Sequence, residues 1–146
     1  MKNNDTSRTN QATTKQINVM LLKSLNKKEA RLLLTYQGEV EEIAPGPKVF
    51  LVGRSRSCDL VVDDSYSSRQ HAHFVYRKGK FVLIDHSTNG TFVKIKDETE
   101  VCLVEQEQIP LMGSGVIGLG RSTSEESDKL IQFYCYYPPS NPHLSV

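Results

Sequence analysis

From residue 30 onward, the sequence is a succession of short β-prone runs separated by turn-forming residues. The ten runs are RLLLTY, GEVEEIA, KVFLVG, DLVVDD, HAHFVYR, KFVLID, TFVKIK, EVCLVE, GVIGLG and KLIQFYCYY. Many short strands bounded by Gly, Pro, Asn, Asp and Ser are typical of a β-sandwich or barrel. This region shows no helical period and no internal repeat, so the sequence predicts an all-β domain over residues 30–137.

Two dipeptides in this region have the composition of tight turns. In YRKGKF, the turn centred on Lys78 and Gly79 predicts a hairpin between two strands. In HSTNGTF, the pair Asn89-Gly90 fits a type I′ turn and predicts a second hairpin.

The residues outside this region have a different character. Residues 1–16 are polar, contain no aromatic side chain and are rich in Thr and Asn, so they predict a flexible tail. Over 17–29, apolar residues at 17, 20, 21 and 25 recur about one helical turn apart and predict a short amphipathic helix or linker. Residues 138–146 are predicted to form a C-terminal tail.

Composition narrows the class of protein. A chain of 146 residues with 38% hydrophobic and 24% charged residues suits one soluble globular domain. Residues 31–146 carry 12 basic and 15 acidic side chains, which argues against nucleic-acid binding. The apolar runs of the sequence are shorter than the roughly 18 residues that a membrane span requires. We therefore expect no membrane partner and a cytoplasmic location.

The cysteines predict neither a disulfide framework nor a metal site. They lie at positions 58, 102 and 135, an odd number without a C-x-x-C pair. We therefore expect reduced, partly buried thiols.

The stretch SSRQHAHF, residues 67–74, superficially supports two kinds of chemistry. Ser68, His71 and the later Asp85 supply the residue types of a catalytic triad, but no G-x-S-x-G elbow is present. His71 and His73 alternate as zinc ligands on one strand face would, but no third ligand has suitable spacing. The sequence thus favours neither a hydrolase nor a metal site.

The stretch GSGVIG, residues 113–118, matches the dinucleotide pattern G-x-G-x-x-G. That pattern requires a preceding strand, a following helix and a later acidic residue, and this context is missing. We interpret these glycines as turns around an edge strand.

An anion site draws on three loops that can converge at one end of a sandwich. Arg54 follows the run KVFLVG, SSRQH precedes another strand, and STNGT connects a third pair of runs. Arg54 and Arg69 offer cations, whereas Ser68 and Thr88 offer hydroxyl donors. With the amide of Asn89 added, these side chains predict a phosphate pocket beside a clamp for a peptide backbone.

The order and spacing of these residues resemble the forkhead-associated (FHA) domain. Residues 52–93 carry its ordered landmarks, and the wider resemblance runs from about Ala30 to Tyr137. The landmarks are Gly53, Arg54, Ser68, His71, Asn89, Gly90 and Thr91. One departure lies in 94–120, where glycine without aspartate occurs at 113–115 and leaves the strand register open.

The resemblance implies a two-sheet β-sandwich of about eleven strands that binds phosphothreonine without catalysis, cofactor or metal. It implies that Arg54 and Ser68 hold the phosphate and that Arg69 assists. Thr88 would add a loop contact, and Asn89 would hold the peptide main chain. The residues expected to support the loops are Gly53, His71, Gly90 and Thr91.

The expected function is a phosphothreonine-peptide binding module that acts as an adaptor or regulator in Ser/Thr kinase signalling, without enzyme activity. The expected partner is a Thr-phosphorylated protein, or the chain's own tail phosphorylated at Thr6, Thr9, Thr13 or Thr14. One alternative is a phosphate-independent scaffold or regulatory subunit of an enzyme encoded elsewhere. Another is a hydrolase or nucleotide-dependent enzyme that uses His71 or residues 113–118.

Overall fold

The computed structural model of the chain describes residues 29–139, and within them all regular structure is β-strand. The predicted tail 1–16, residues 17–28 of the predicted helix or linker, and residues 140–146 lie outside the described residues. The eleven strands are β1 Arg31–Tyr36, β2 Glu39–Ile43, β3 Phe50–Gly53, β4 Leu60–Val61, β5 Ala72–Arg77, β6 Lys80–Asp85, β7 Thr91–Ile95, β8 Val101–Leu103, β9 Gln108–Pro110, β10 Gly113–Leu119 and β11 Ile131–Tyr136. Residues 29–139 include no helix able to span a membrane.

The strands form two sheets, which confirms the predicted β-sandwich. One sheet has six strands in the order β2-β1-β11-β10-β7-β8, and the other has five in the order β4-β3-β5-β6-β9. Each of the ten predicted runs contains a strand. The eleventh, β9, was missed because it is a three-residue edge strand that ends in Pro110.

The burial pattern of β5 shows which faces of the sheets meet. In β5, Ala72 and Phe74 are fully buried, whereas His73 between them is only partly buried. Phe74 meets Phe50 edge to face, with the ring centroids 6.2 Å apart. Leu32 and Leu34 of β1 enter the same core from the six-stranded sheet, so the core lies between the two inner faces.

The glycine-rich stretch 113–118 lies in β10, and its prediction as an edge strand is wrong. The structure places β10 between β11 and β7, in the interior of the six-stranded sheet. A Cβ atom on Gly115 would lie 2.2 Å from the carbonyl oxygen of Lys94 and 2.6 Å from the Phe133 ring. Glycine is therefore present to permit close packing, and no nucleotide-binding helix follows it.

Of the two predicted hairpins, one is present and one is not. Lys78 and Gly79 both have positive φ, 53° and 78°, and they join β5 to β6 in an antiparallel pair. The pair Asn89-Gly90 forms no hairpin because β6 and β7 belong to different sheets. Only Gly90 of that pair has a positive φ, whereas a type I′ turn requires two.

The topology separates the loops from the chain ends. The connections after β3, before β5, after β6 and after β10 gather at one end of the sandwich, which we call the loop end. Arg31, where β1 begins, pairs with Tyr136, where β11 ends. Residues 29 and 139 therefore lie at the opposite end, beside the Lys78-Gly79 turn.

Candidate functional site

Gly53 and Arg54 form the point where β3 enters the loop end. A Cβ atom on Gly53 would lie 2.3 Å from the carbonyl oxygen of Arg69, so this position has room only for glycine. The Arg54 N–H donates to the Ser68 carbonyl oxygen at 2.9 Å, and its Nε donates to the Ser67 carbonyl oxygen at 3.1 Å. Arg54 is exposed, so these contacts aim an accessible guanidinium along the neighbouring loop.

Ser68 joins two of the predicted loops. Its Oγ accepts a hydrogen bond from the Thr88 N–H at 3.1 Å. Within residues 29–139, the Ser68 hydroxyl hydrogen takes part in no hydrogen bond, so it is available to an acceptor from outside. The structure thus brings Arg54, Ser68 and Thr88 together at one surface.

His71 is fully buried beneath these loops and bridges them through both ring nitrogens. Nδ1 accepts from the Ser68 N–H at 2.9 Å, and Nε2 lies 2.9 Å from the Gly90 carbonyl oxygen. Only the neutral tautomer with hydrogen on Nε2 satisfies both contacts. Burial lowers the pKa of His71, which favours that neutral form. The ring therefore couples the Ser68 loop to the Gly90 loop and has no nitrogen left for proton transfer.

Asp85 holds the segment 86–90 from below, a role that the sequence did not reveal. Its Oδ1 accepts from the Thr91 hydroxyl at 2.7 Å and from the N–H of Ser87 at 3.2 Å. The Ser87 hydroxyl also donates to Oδ1, and it accepts from the Gly90 N–H at 2.7 Å. The D-x-S spacing is an Asx-type turn signal that would have indicated this arrangement.

Asn89 and Gly90 complete the surface where the chain passes from β6 in one sheet to β7 in the other. Asn89 is exposed, and its Nδ2 donates to the Tyr66 carbonyl oxygen at 3.2 Å. The Gly90 carbonyl oxygen also accepts from the Gly120 N–H at 2.9 Å, which brings in the β10–β11 connection. A Cβ on Gly90 would lie 2.7 Å from the Cys102 sulfur, and the positive φ of 92° also favours glycine there.

Several arginines of the loop end carry a positive charge that no neighbouring carboxylate pairs with in the described residues. Arg54, Arg56 and Arg69 are all exposed, and none of them forms an ion pair within residues 29–139. Arg69 contributes through its backbone, since its carbonyl oxygen accepts from the Ser55 N–H at 3.0 Å and from the Cys58 thiol at 3.2 Å. Unpaired guanidinium groups beside a hydroxyl donor form a suitable environment for a phosphate.

The histidines that the sequence offered as zinc ligands have different surroundings. His73 stacks on His86 with the ring centroids 4.5 Å apart, away from the buried His71. No group of three or more metal-ligating side chains occurs in the described part of the chain. Tyr66 also contacts Asp64 through its N–H and Arg121 through its ring, and no sequence motif indicated these contacts.

The fold and the loop cluster define a β-sandwich domain with Arg54, Ser68, Thr88 and Asn89 gathered at one end. Residues 50–111 match the family model of the FHA domain. Among curated proteins, no sequence matches the chain. The match over residues 50–111 confirms the resemblance to the FHA domain that the sequence predicted.

Solved structures of the same fold are similar to the chain. Rv1747 FHA-1 of Mycobacterium tuberculosis superposes with a TM-score of 0.58 at 21% identity, covering 73% of this chain and 97% of that one. The FHA domain of CT664 from Chlamydia trachomatis gives 0.54 at 26% identity, covering 73% and 98%. The MEK1 FHA domain, solved in complex with a HOP1 phosphothreonine peptide, gives 0.54 at 21% identity, covering 70% and 94%.

Proposed function

We propose that this chain binds phosphothreonine peptides through its loop end and acts as an adaptor or regulator in Ser/Thr kinase signalling. The observation that carries the proposal is the joint placement of Arg54 and Ser68. An exposed, unpaired guanidinium is tied to the loop whose serine hydroxyl has a hydrogen to donate. The MEK1 FHA domain, a structural relative, was solved with a phosphothreonine peptide, which agrees with this proposal.

The chemistry of the loop end suits a phosphate better than a carboxylate. Phosphothreonine carries about −1.5 to −2 charges near neutral pH and has three acceptor oxygens. Arg54 supplies a planar pair of donors, Ser68 a hydroxyl, and Arg69 a second cation. Because an aspartate carries a single charge, we expect it to bind poorly as a substitute.

The remaining residues have supporting roles in this proposal. Thr88 adds a loop contact, and Asn89 uses its exposed amide to hold the peptide main chain. Gly53 and Gly90 allow the loops to approach closely, because a side chain at either position would collide with a neighbour. His71 and Thr91 fix the loops through buried hydrogen bonds.

A phosphothreonine peptide library tests the proposal directly. Wild type should bind phosphothreonine peptides and fail to bind their unphosphorylated or aspartate counterparts, and Arg54→Ala should abolish the binding. Arg77→Ala is the matched control, since Arg77 is an exposed arginine near the opposite end. Affinity should also fall as pH drops from about 6 toward 5, because the second phosphate pKa is about 6. Binding that ignores phosphorylation would refute the proposal.

We propose no enzymatic role for this chain. FHA domains are generally non-enzymatic phosphopeptide-binding modules, and His71 uses both ring nitrogens to contact backbone groups. A hydrolase would require that ring as a base for Ser68. Activity that survives Arg54→Ala but disappears with His71→Gln would contradict this part of the proposal.

We further propose that the partner is a Thr-phosphorylated protein in the cytoplasm and that nucleic acid and membranes are not partners. The three cysteines are unpaired, as expected in a reducing compartment. Localisation of a tagged chain by microscopy checks the compartment, and a membrane-bound or nuclear signal would contradict it.

The chain's own tail is a second proposed ligand when phosphorylated at Thr6, Thr9, Thr13 or Thr14. Thr14 lies 15 residues before Glu29, so an extended connection spans up to roughly 50 Å, about twice the roughly 23 Å of the seven-residue strand β10. The tail can therefore reach the loop end of its own domain or of a neighbour. Deleting residues 1–16 from kinase-treated protein should raise the affinity for an added phosphopeptide, and an unchanged affinity would exclude this ligand.

A phosphate-independent scaffold is supported by one separate observation. The outer face of the five-stranded sheet carries Leu51, Val75 and Ile84, which are partly buried, where a solvated face would carry polar residues. Val49 and Val61 are 49% and 37% exposed in the same region. Protein association that survives Arg54→Ala but is lost with Val49→Glu and Val61→Glu would favour this function.

A further inference from the structure

Strand β1 is buried on both of its faces. Leu32 and Leu34 belong to the core between the two sheets. Leu33 is only 2% exposed, yet it is not part of that core. Because side chains alternate along a strand, Leu33 points away from the other sheet, together with Arg31 and Thr35. We call Arg31, Leu33 and Thr35 the outer face of β1.

The burial of the outer face of β1 is greater than the position of the strand explains. An antiparallel sheet that packs one face on the core normally exposes polar residues to water on the other face. Arg31 and Thr35 are instead only 6% and 5% exposed. On β11, which also lies between two other strands, the outward residues Gln132 and Tyr134 are exposed and partly buried, respectively. Neighbouring strands alone therefore leave an outward residue of this sheet accessible.

The partners of Arg31 account for its charge but not for its burial. Its Nε donates to Oε2 of Glu42 at 2.8 Å, and its Nη1 donates to Oε2 of Glu29 at 2.9 Å. All eleven strands of residues 29–139 belong to the two sheets, so no third layer of regular structure in that range covers the guanidinium. The burial of the outer face of β1 thus points to a cover from outside residues 29–139.

The segment 17–28 precedes β1 directly and has the composition that such a cover requires. Its apolar residues at 17, 20, 21 and 25 would share one side of a helix. It carries three lysines and no acidic residue, whereas the neighbouring strand β2 carries three glutamates. The segment therefore matches the surface of β1 and β2 in apolar character and in charge.

The length of the segment also fits that of β1. Twelve residues in a helix span about 18 Å, and the six residues of β1 span about 20 Å. Glu29 forms a bend directly before β1, which permits the chain to reverse there. Because β1 begins at the end opposite the loops, a segment folded back along it would carry residue 17 toward the loop end. This direction is compatible with the tail 1–16 as a ligand.

We propose that residues 17–28 pack as an amphipathic helix on the outer face of β1 and form a third layer of the domain. The apolar side of the helix covers Leu33 and Thr35, and its lysines face the glutamates of β2. None of the proposed phosphate-binding residues belongs to this surface, so the inference is independent of phosphothreonine binding.

Hydrogen–deuterium exchange of the full chain tests this packing. In wild type, the amides of 17–28 should exchange at least about tenfold more slowly than those of 1–16. Leu21→Asp places a charge on the apolar side of the helix, so exchange of 17–28 should rise to the rate of 1–16. Val19→Asp is the matched control, because position 19 lies on roughly the opposite side of the same helix and should leave the protection unchanged. Equal exchange of 17–28 and 1–16 in wild type, or equal release by both variants, would overturn the proposal.

A photo-crosslinker identifies the cover without those variants. Val40 on β2 is partly buried and pairs with Thr35, so the benzophenone in Val40→p-benzoylphenylalanine lies beside the outer face of β1. Crosslinks from position 40 to residues 17–28 of the same chain support the proposal. Crosslinked dimers would show that a second copy covers this face, and the absence of any crosslink to 17–28 would place the segment elsewhere. Either of these two results refutes the helix packing and leaves the proposed function standing.

Discussion

The two ends of the sandwich are stabilised in different ways. At the loop end, long connections are held by buried or half-buried polar groups, namely His71, Asp85 and the Asp64–Arg121 pair. At the opposite end, a two-residue turn suffices, and Tyr137 packs against Phe81 with the ring centroids 6.1 Å apart. The comparison teaches that a short turn is stabilised by aromatic packing and a few hydrogen bonds, whereas long loops that expose polar side chains need buried polar groups beneath them.

Loss of the His71 ring should have the largest effect of any single change. His71→Ala leaves the Ser68 N–H and the Gly90 carbonyl oxygen without partners in a buried place and creates a cavity. We expect the free energy of unfolding to fall by about 4 kcal/mol and phosphopeptide binding to be lost. Chemical denaturation and titration calorimetry measure the two effects, and a stable variant that binds normally would contradict the bridging role.

The same residue predicts a pH dependence. Burial lowers the pKa of His71, so the folded state resists protonation that the unfolded chain accepts below about 6.5. The contribution of His71 to stability is complete above that pH and decreases as the pH falls toward the folded value. His71→Gln should reduce this acid sensitivity more than His73→Gln, because His73 is only partly buried. Equal effects of the two variants on denaturation at pH 5 and 7.5 would contradict the assignment.

A side chain at Gly53 should have the next largest effect. Gly53→Ala places a methyl group 2.3 Å from the Arg69 carbonyl oxygen, so the two loops must separate. We expect a loss of about 3 kcal/mol in stability and a strong loss of phosphopeptide affinity. Gly79→Ala is the control at the opposite end, where a Cβ meets nothing within 4 Å and only the positive φ of 78° costs about 1 kcal/mol. Similar losses in both variants would remove the distinction between the ends.

The sequence predicted the sandwich well because its strands repeat with a period of two and are separated by strong turn residues. The sequence-based prediction was wrong where one local pattern is compatible with two different structures. Asn89-Gly90 has the composition of a hairpin turn, but the chain crosses between sheets there, and only long-range pairing of β7 with β10 decides this. Gly115 was interpreted as a turn residue. Glycine is needed there because a side chain would collide with the Phe133 ring, which is distant in the sequence.

The residues of the proposed site could be selected from the sequence because they lie in three short motifs. Arg54, Ser68 and Thr88 are brought together in the structure as those motifs indicated. The Asp64–Arg121 ion pair could not be predicted from the sequence, since 57 residues separate its members and neither belongs to a motif. Contacts that depend on the β10–β11 connection required the sheet topology to be known.

Removal of one hydroxyl at the opposite end should give a moderate effect on stability alone. The Tyr137 hydroxyl accepts from the Phe81 N–H at 2.9 Å and donates to the Leu111 carbonyl oxygen at 2.7 Å. Tyr137→Phe should therefore lower the free energy of unfolding by about 1.5 kcal/mol. Phosphopeptide affinity should stay the same, because this end does not support the loops. A weakened affinity at unchanged fold would show that the two ends are coupled.

The smallest effect is expected from the exposed cation at that same end. The Lys80 ammonium lies 4.4 Å from the centroid of the Tyr137 ring. Because Lys80 is exposed, Lys80→Met should cost only about 0.5 kcal/mol in thermal or chemical denaturation. In the Tyr137→Phe background the ring remains, so Lys80→Met should cost a similar amount there. A much larger loss in either background would mean that charge, and not aromatic packing, stabilises the end of the sandwich opposite the loops.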